Sequence, residues 1–272
     1  MHLHWRSLGQ NYSMSETALI TGASGGIGAE FAHIHAAAGG DLVLVARNLE
    51  KLEEIKADLE STYGITVLTI AMDLSRGDAA ERVFAQTQAA GIKVSLLINN
   101  AGVGGHGKFY ERKLPDDLAM MQLNMGALVS LTHLYLEAMV QRGAGKVLNV
   151  ASTAAFIPGP LQAVYYATKA FVLSFSEALA EELSGTGVTV TALCPGPVMT
   201  GFAEAGDLEG VRVFKFGASA ESVAICGYNA MQKGKRVVVN SHVLGFLLIW
   251  ATPLIPRRLL LKISRLSLEK PQ

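Results

Sequence analysis

Two periodicities alternate along this chain, and their order is what most limits the fold. The short apolar runs Ala18–Thr21, Asp41–Ala46, Thr66–Met72 and Val94–Ile98 each give way to a longer helical pattern: Ile27–Ala38, Leu49–Tyr63, Asp78–Ala90 and a long stretch around Leu118–Gln141. The rhythm continues through strand Gly145–Val150, helix Tyr165–Leu183 and strand Val188–Leu193. The strands are apolar at nearly every position, whereas a strand with one wet face would alternate apolar and polar residues. They therefore read as a parallel sheet covered by helices on both faces, a doubly wound α/β domain. The 272 residues, half of them hydrophobic, suffice for one such domain, and no internal repeat or linker rich in Gly, Pro or Ser divides it.

Charge and cysteine usage narrow the function classes. Lys+Arg and Asp+Glu both number 23, so nothing in the overall charge favours nucleic acid as a main partner. The two cysteines, Cys194 and Cys226, have no metal-ligand spacing and read as buried structural thiols in a reducing cytoplasm. His33 and His35 sit on one helix with diverging side chains, a partly exposed pair rather than metal ligands. No metal site is expected.

The expected layout is a flexible leader over residues 1–14, a domain over 15–240 and an apolar, basic extension over 241–272. The leader lacks the apolar core of a signal peptide, and Met14 stands as an alternative start. Residues 201–217 break the rhythm as a loop or short helical excursion, suited to cover a substrate. Phe202, Val211, Val213, Phe214 and Phe216 in that segment favour an apolar one. In the extension, Val243–Ile255 is interrupted by Pro253 and is shorter than the roughly 20 residues that span a bilayer. Beyond it, Arg257, Arg258, Lys262 and Arg265 fall within about 140° of a helical wheel. Leu259, Leu260, Ile263 and Leu266 lie mostly opposite, while Leu261 and Leu268 violate the pattern. Two readings stay open: an interfacial helix making peripheral membrane contact, and a helix packed on the domain or on an oligomer partner.

Thr21-Gly22-Ala23-Ser24-Gly25-Gly26-Ile27-Gly28 follows the first strand and opens the first helix, the context in which a glycine loop binds a dinucleotide. Gly22 permits the tight turn, Gly26 lets backbone approach a pyrophosphate, and Gly28 permits close helix–sheet packing. Ser24, Ile27 and the helix N-terminus offer N–H groups to the anion. After the second strand there is no acid to hold a ribose 2′-hydroxyl, and Arg47 stands where a 2′-phosphate would lie, so NADP is favoured over NAD. Asp73, followed by Leu74 past the third strand, is placed to accept from an adenine amino group or to cap a turn.

Tyr165 and Lys169 stand four residues apart on one helical face, and an ammonium beside a phenol lowers its pKa towards the range useful for general acid/base work. Ser152 follows strand Gly145–Val150, where a hydroxyl points into the crevice at the carboxyl end of a parallel sheet. With these residues in order, the chain resembles the short-chain dehydrogenase/reductase family of the single-domain, Rossmann-fold type. The resemblance is carried by Thr21–Gly28, Asn99-Asn100-Ala101-Gly102, Ser152 with Tyr165-x-x-x-Lys169, and Pro195-Gly196. It implies that Asn124 joins Ser152, Tyr165 and Lys169 in a catalytic tetrad, holding a water that relays protons through the lysine. Asn99, Asn100, Ala101 and Gly102 would support the sheet and line the cofactor site, Lys169 would bind the nicotinamide ribose, and Pro195, Val198 and Thr200 would border the nicotinamide. It further implies a homodimer or homotetramer. The segment Ala46–Leu52 and the basic C-terminus look like the branch with steroid and long-chain ketoacyl reductases. Gly25 departs from relatives that carry a basic residue there, which leaves the NADP reading on Arg47.

The expected reaction is carbonyl/alcohol interconversion on a small apolar substrate. Two alternatives remain: an NADP-binding sensor or scaffold without turnover, and a hydrolase using Ser24 in the G-x-S-x-G pattern of residues 22–26.

Overall fold

A computed structural model describes residues 16–211, 217–241, 245 and 247–270. The leader with Met14, together with Val213, Phe214 and Phe216 of the presumed substrate loop and Val243 of the extension, lies outside these residues. Strands β1 (Thr17–Thr21), β2 (Leu42–Ala46), β3 (Val67–Ala71), β4 (Val94–Asn99), β5 (Gly145–Val150), β6 (Val188–Cys194) and β7 (Val237–Val239) form one sheet in the order β3-β2-β1-β4-β5-β6-β7. Every pairing in it is parallel. Helices α1 (Gly26–Ala37), α2 (Leu49–Tyr63), α3 (Ala79–Ala89), α5 (Leu128–Gln141), α6 (Ala163–Glu182) and α8 (Ala220–Gln232) cover it. This is the doubly wound Rossmann-type arrangement expected.

Successive residues of each strand enter different cores, which is why the runs are apolar throughout. Ala18, Ile20, Leu42 and Leu44 pack with Phe31 of α1, Leu52 and Leu59 of α2 and Val223 of α8. Leu19, Val43 and Val45 face the other side, against Val83 of α3 and Leu131, Tyr135 and Met139 of α5. Local signals set the helix ends: the Asn48 side chain caps α2 by accepting from Lys51 N at 3.0 Å, and Gly64 closes the helix in the left-handed region (φ 69°).

Three features depart from the sequence reading. The long helical stretch begins at α4 (Leu114–Met121) and passes through a π-helical segment, Gln122–Ala127, before continuing as α5. Helix α8 and strand β7 were not anticipated; α8 lies across α1, with Gly227 close against Leu193 and Phe31. His35 is buried rather than partly exposed, since its Nδ1 hydrogen-bonds Tyr228 Oη (2.8 Å) and its Nε2 bonds Glu16 O (2.9 Å).

The extension is not detached from the domain. Helix α9 (Arg257–Leu268) buries Leu260, Ser264 and Leu268, so Leu268, which breaks the wheel pattern, is an anchor, while Leu259, Ile263 and Leu266 remain exposed. In the 201–217 region the short helix α7 (Phe202–Ala205) leads to Leu208 and Val211, which form a small core with Leu268.

Candidate active site

The strand order reverses between β1 and β4, and the carboxyl ends of these strands open the crevice where open α/β sheets bind ligands. The glycine loop is fastened to the β4 end by a small polar lock. Thr21 Oγ1 accepts from Asn100 N (3.0 Å) and Ala101 N (2.9 Å), while Asn100 Nδ2 donates to Thr21 O (2.9 Å). Gly22 and Gly26 adopt positive φ of 66° and 55°. A Cβ on Gly28 would stand 2.2 Å from Gly22 O, so only glycine lets α1 approach β1. Asn99 faces inward, where its Nδ2 donates to Thr132 Oγ1 (3.0 Å) and Asn149 Oδ1 (2.9 Å), bracing the sheet beneath the site.

Ser152 follows β5. Its Oγ accepts from Ala154 N at 3.1 Å, is 3.5 Å from Pro195 O, and stands in hydrogen-bond contact with the Tyr165 hydroxyl. The first two turns of α6 bring Tyr165 and Lys169 to the same wall. Both are buried, with Lys169 Nζ donating to Val150 O at 2.8 Å and lying 5.9 Å from the centre of the Tyr165 ring. Burial pushes the Tyr165 phenol up to about 12, with the Ser152 hydroxyl pulling the other way. The expected lowering by the lysine is therefore not what the protein alone presents. Burial also brings Lys169 down, to about 8.

Asn124 sits in the π-helical segment, 1% exposed, and its side chain is fully engaged. Oδ1 accepts from Val103 N (3.0 Å), and Nδ2 donates to Val103 O (3.0 Å) and Thr168 Oγ1 (3.1 Å). It ties the segment after β4 to α6. Gly102 fits between it and the lysine, since a Cβ there would meet Asn124 Oδ1 at 3.2 Å and Lys169 Nζ at 3.4 Å.

These elements enclose a cleft of about 780 Å³. Its walls include Gly22, Ser24, Gly26, Ile27, Arg47, Asn100, Ala101 and Gly102, with Pro195, Val198 and Thr200, the last against Gly26. Lys51, one helical turn beyond Arg47, adds a second cation. Ser152, Tyr165 and Lys169 occupy the middle, and Tyr166, Phe202, Leu248, Leu260, Ile263 and Leu268 give the far end an apolar lining. The positive-φ glycines, the open helix N-terminus and the paired cations match a dinucleotide phosphate in shape and charge.

Asp73 and Leu74 are not part of the walls. The Asp73 carboxylate accepts from Ser75 N (3.0 Å) and Ser75 Oγ (2.7 Å), the turn-capping alternative, and Leu74 is buried in the second core. Among the described residues no histidine hydrogen-bonds Ser24, which leaves the hydrolase pattern without its base, and no cluster suited to a metal is found. Sequence reasoning missed Thr168, Gln162 and the cleft wall from α9; the apolar stripe of that helix was the one available signal.

A family model described as short chain dehydrogenase matches residues 16–208. The chain is 35% identical over 201 residues to 17-beta-hydroxysteroid dehydrogenase type 3 of Homo sapiens, covering 72% of this chain and 64% of that protein. It is 33% identical over 195 residues to very-long-chain 3-oxoacyl-CoA reductase of Rattus norvegicus, covering 70% and 62%. The chain thus matches a little under two thirds of the length of these relatives. Among solved structures, a short-chain dehydrogenase from Sphingobium yanoikuyae in complex with NADPH superposes with a TM-score of 0.80 at 31% identity, over 85% of this chain and 90% of that one. A 7beta-hydroxysteroid dehydrogenase gives 0.81 at 26% identity, over 92% and 96%. With the motifs in order and the sheet that carries them, the chain belongs to the short-chain dehydrogenase/reductase family.

Proposed function

We propose that this protein is an NADPH-dependent reductase that interconverts an apolar ketone and its secondary alcohol. The observation that carries the reading is the convergence of Ser152, Tyr165 and Lys169 on one wall of a cleft whose opposite end is the glycine loop. When bound, NADPH supplies hydride to the carbonyl carbon. Gly22, Gly26 and the α1 N-terminus would hold its phosphates, while Arg47 and Lys51 suit a 2′-phosphate. That the Sphingobium relative was solved with NADPH supports the choice of cofactor.

The residues divide the remaining work. Ser152 accepts from Ala154 N, and its O–H, beside the Tyr165 hydroxyl, can turn from that contact to donate to the substrate oxygen and polarise it. Tyr165, kept protonated by burial, gives its proton to that oxygen as hydride arrives. Lys169, steered by Val150 O, supplies the positive charge that favours the phenolate left behind. Asn124 acts as a positioning residue through Val103 and Thr168 rather than by offering its amide to a water.

The apolar far end, and the steroid and long-chain acyl substrates in the names of the human and rat relatives, support a bulky apolar ketone. Tyr165→Phe tests the reading directly. It should lower the rate of ketone reduction by about 10²–10⁴-fold while leaving NADPH affinity intact. Reduction at the wild-type rate would sink the mechanism, and binding of NADPH without turnover of any ketone or alcohol by the wild type would favour the sensor reading.

A further inference from the structure

We propose that the outward face of α9 docks the protein on an anionic lipid bilayer, with the helix lying along the surface. One stripe of this helix is committed to the domain: Leu260, Ser264 and Leu268, spaced four apart, are buried. The end is clamped by His106 Nε2 to Leu268 O (2.8 Å) and by Lys270 Nζ to Asp207 (2.8 Å). A second apolar stripe is left over. At about 100° per residue, Leu259, Ile263 and Leu266 fall within about 60° of one another on a different side. They are 51%, 48% and 63% exposed. Arg258, Lys262 and Arg265 run beside that stripe within another sector of about 60°, and all three are exposed.

Composition sharpens the pattern. From Ser241 to Lys270 there are five cations, Arg257, Arg258, Lys262, Arg265 and Lys270, against one acid, Glu269, which pairs with Arg265 at 2.9 Å, in a chain whose formal net charge is zero. The segment entering α9, which reaches the cleft through Leu248, exposes Trp250 (68%) and Leu254 (84%). An acidic protein surface would match the cations but not the leucines and the tryptophan. A second copy of this chain, pairing about a twofold axis, would set the same cations against themselves. An anionic bilayer satisfies both: the leucines and Trp250 enter the boundary of the acyl chains while the cations meet the headgroups. No described helix is long and apolar enough to cross a membrane, in keeping with a helix that lies on it. Ile263 belongs both to the outward stripe and to the cleft rim, so docking would bring the cleft mouth to the lipid surface.

The test is co-sedimentation of the full chain with vesicles of phosphatidylcholine containing about a quarter phosphatidylserine, against phosphatidylcholine alone. The wild type should pellet with the anionic vesicles, and less with neutral ones or at high salt. Leu259→Glu/Leu266→Glu and Arg258→Glu/Lys262→Glu should each weaken vesicle binding about tenfold or more. Circular-dichroism melts would check that both variants stay folded. In a Trp5→Phe background, Trp250 fluorescence should shift to the blue on vesicle addition. A wild type that stays in the supernatant, or folded variants that pellet as it does, would overturn the proposal. So would a wild-type dimer in sedimentation velocity that the Leu259→Glu/Leu266→Glu variant dissociates, because a second copy would then cover the stripe. These readouts involve no turnover, so they stand or fall separately from the proposed reaction.

Discussion

Asn124→Ala should damage the architecture of the site by an amount that can be worked from its bonds. The substitution removes the partner of Val103 N–H and of Val103 C=O, while Thr168 Oγ1 keeps its own bond to Tyr165 O at 2.7 Å. Each polar group stranded in a buried place costs about 1–3 kcal/mol. Two such groups, with partial relief from water in the vacated space, give a loss of about 2–4 kcal/mol. Thr168→Val strands one N–H of Asn124 and removes the Thr168 donor from Tyr165 O, which keeps its helical partner, and should cost about 1–2 kcal/mol. Urea unfolding of the three proteins, fitted with unchanged m-values, measures both differences. If Asn124→Ala lost less than Thr168→Val, the claim that this side chain ties the loop after β4 to α6 would be wrong.

Other consequences are as direct. Gly28→Ala places a methyl against the carbonyl of Gly22, a backbone atom with little room to retreat. NADPH titration by fluorescence should show binding at least about tenfold weaker, or no folded protein, and wild-type affinity would refute the packing argument. Arg47→Asp removes a cation from the cleft and adds a charge hostile to a 2′-phosphate. The ratio of kcat/KM for NADPH over NADH should drop about 10–100-fold, the effect of one charge-assisted hydrogen bond. pH profiles separate the directions of catalysis. With the Tyr165 phenol raised to about 12, its protonated form is fully present across the neutral range and its phenolate is scarce. Reduction should therefore show no dependence on this group there, while oxidation gains up to about tenfold per pH unit. Reduction that climbed as steeply as oxidation would contradict the assignment.

Much of the sheet was legible because a strand buried on both faces can hold almost nothing but apolar residues. Gly145–Val150 and Leu49–Tyr63 agree at both ends, and the other strands of the first six differ by a residue or so. The final strand has only three residues, Val237–Val239, too few to show a period, and Gly227 weakens the helical signal of α8 although close packing on Leu193 requires it. The site was legible as a set of residue types, since spacing alone put Tyr165 and Lys169 on one face. Their protonation was not, because burial depends on Phe202, Tyr166 and the far wall, all distant in the chain. In α9 the sequence offers two apolar stripes, and only contact with Leu208 and Val211 decides that the one ending in Leu268 packs inward.

The π-helical turn at Gln122–Ala127 also has a bearing on how this helix can change length. Such a turn holds about one residue more than an α-helical path between the same flanks. Deleting one residue there could be absorbed by reverting to α-helix, with α4 and α5 keeping their faces, whereas a deletion at the start of α5, before Leu131, would swing Leu131, Tyr135 and Met139 by about 100°. The surplus residue is thus a reserve of length, and its removal would fall on the stretch that carries Asn124. Variants shortened within this turn would be expected to keep their core and lose the order of their cleft.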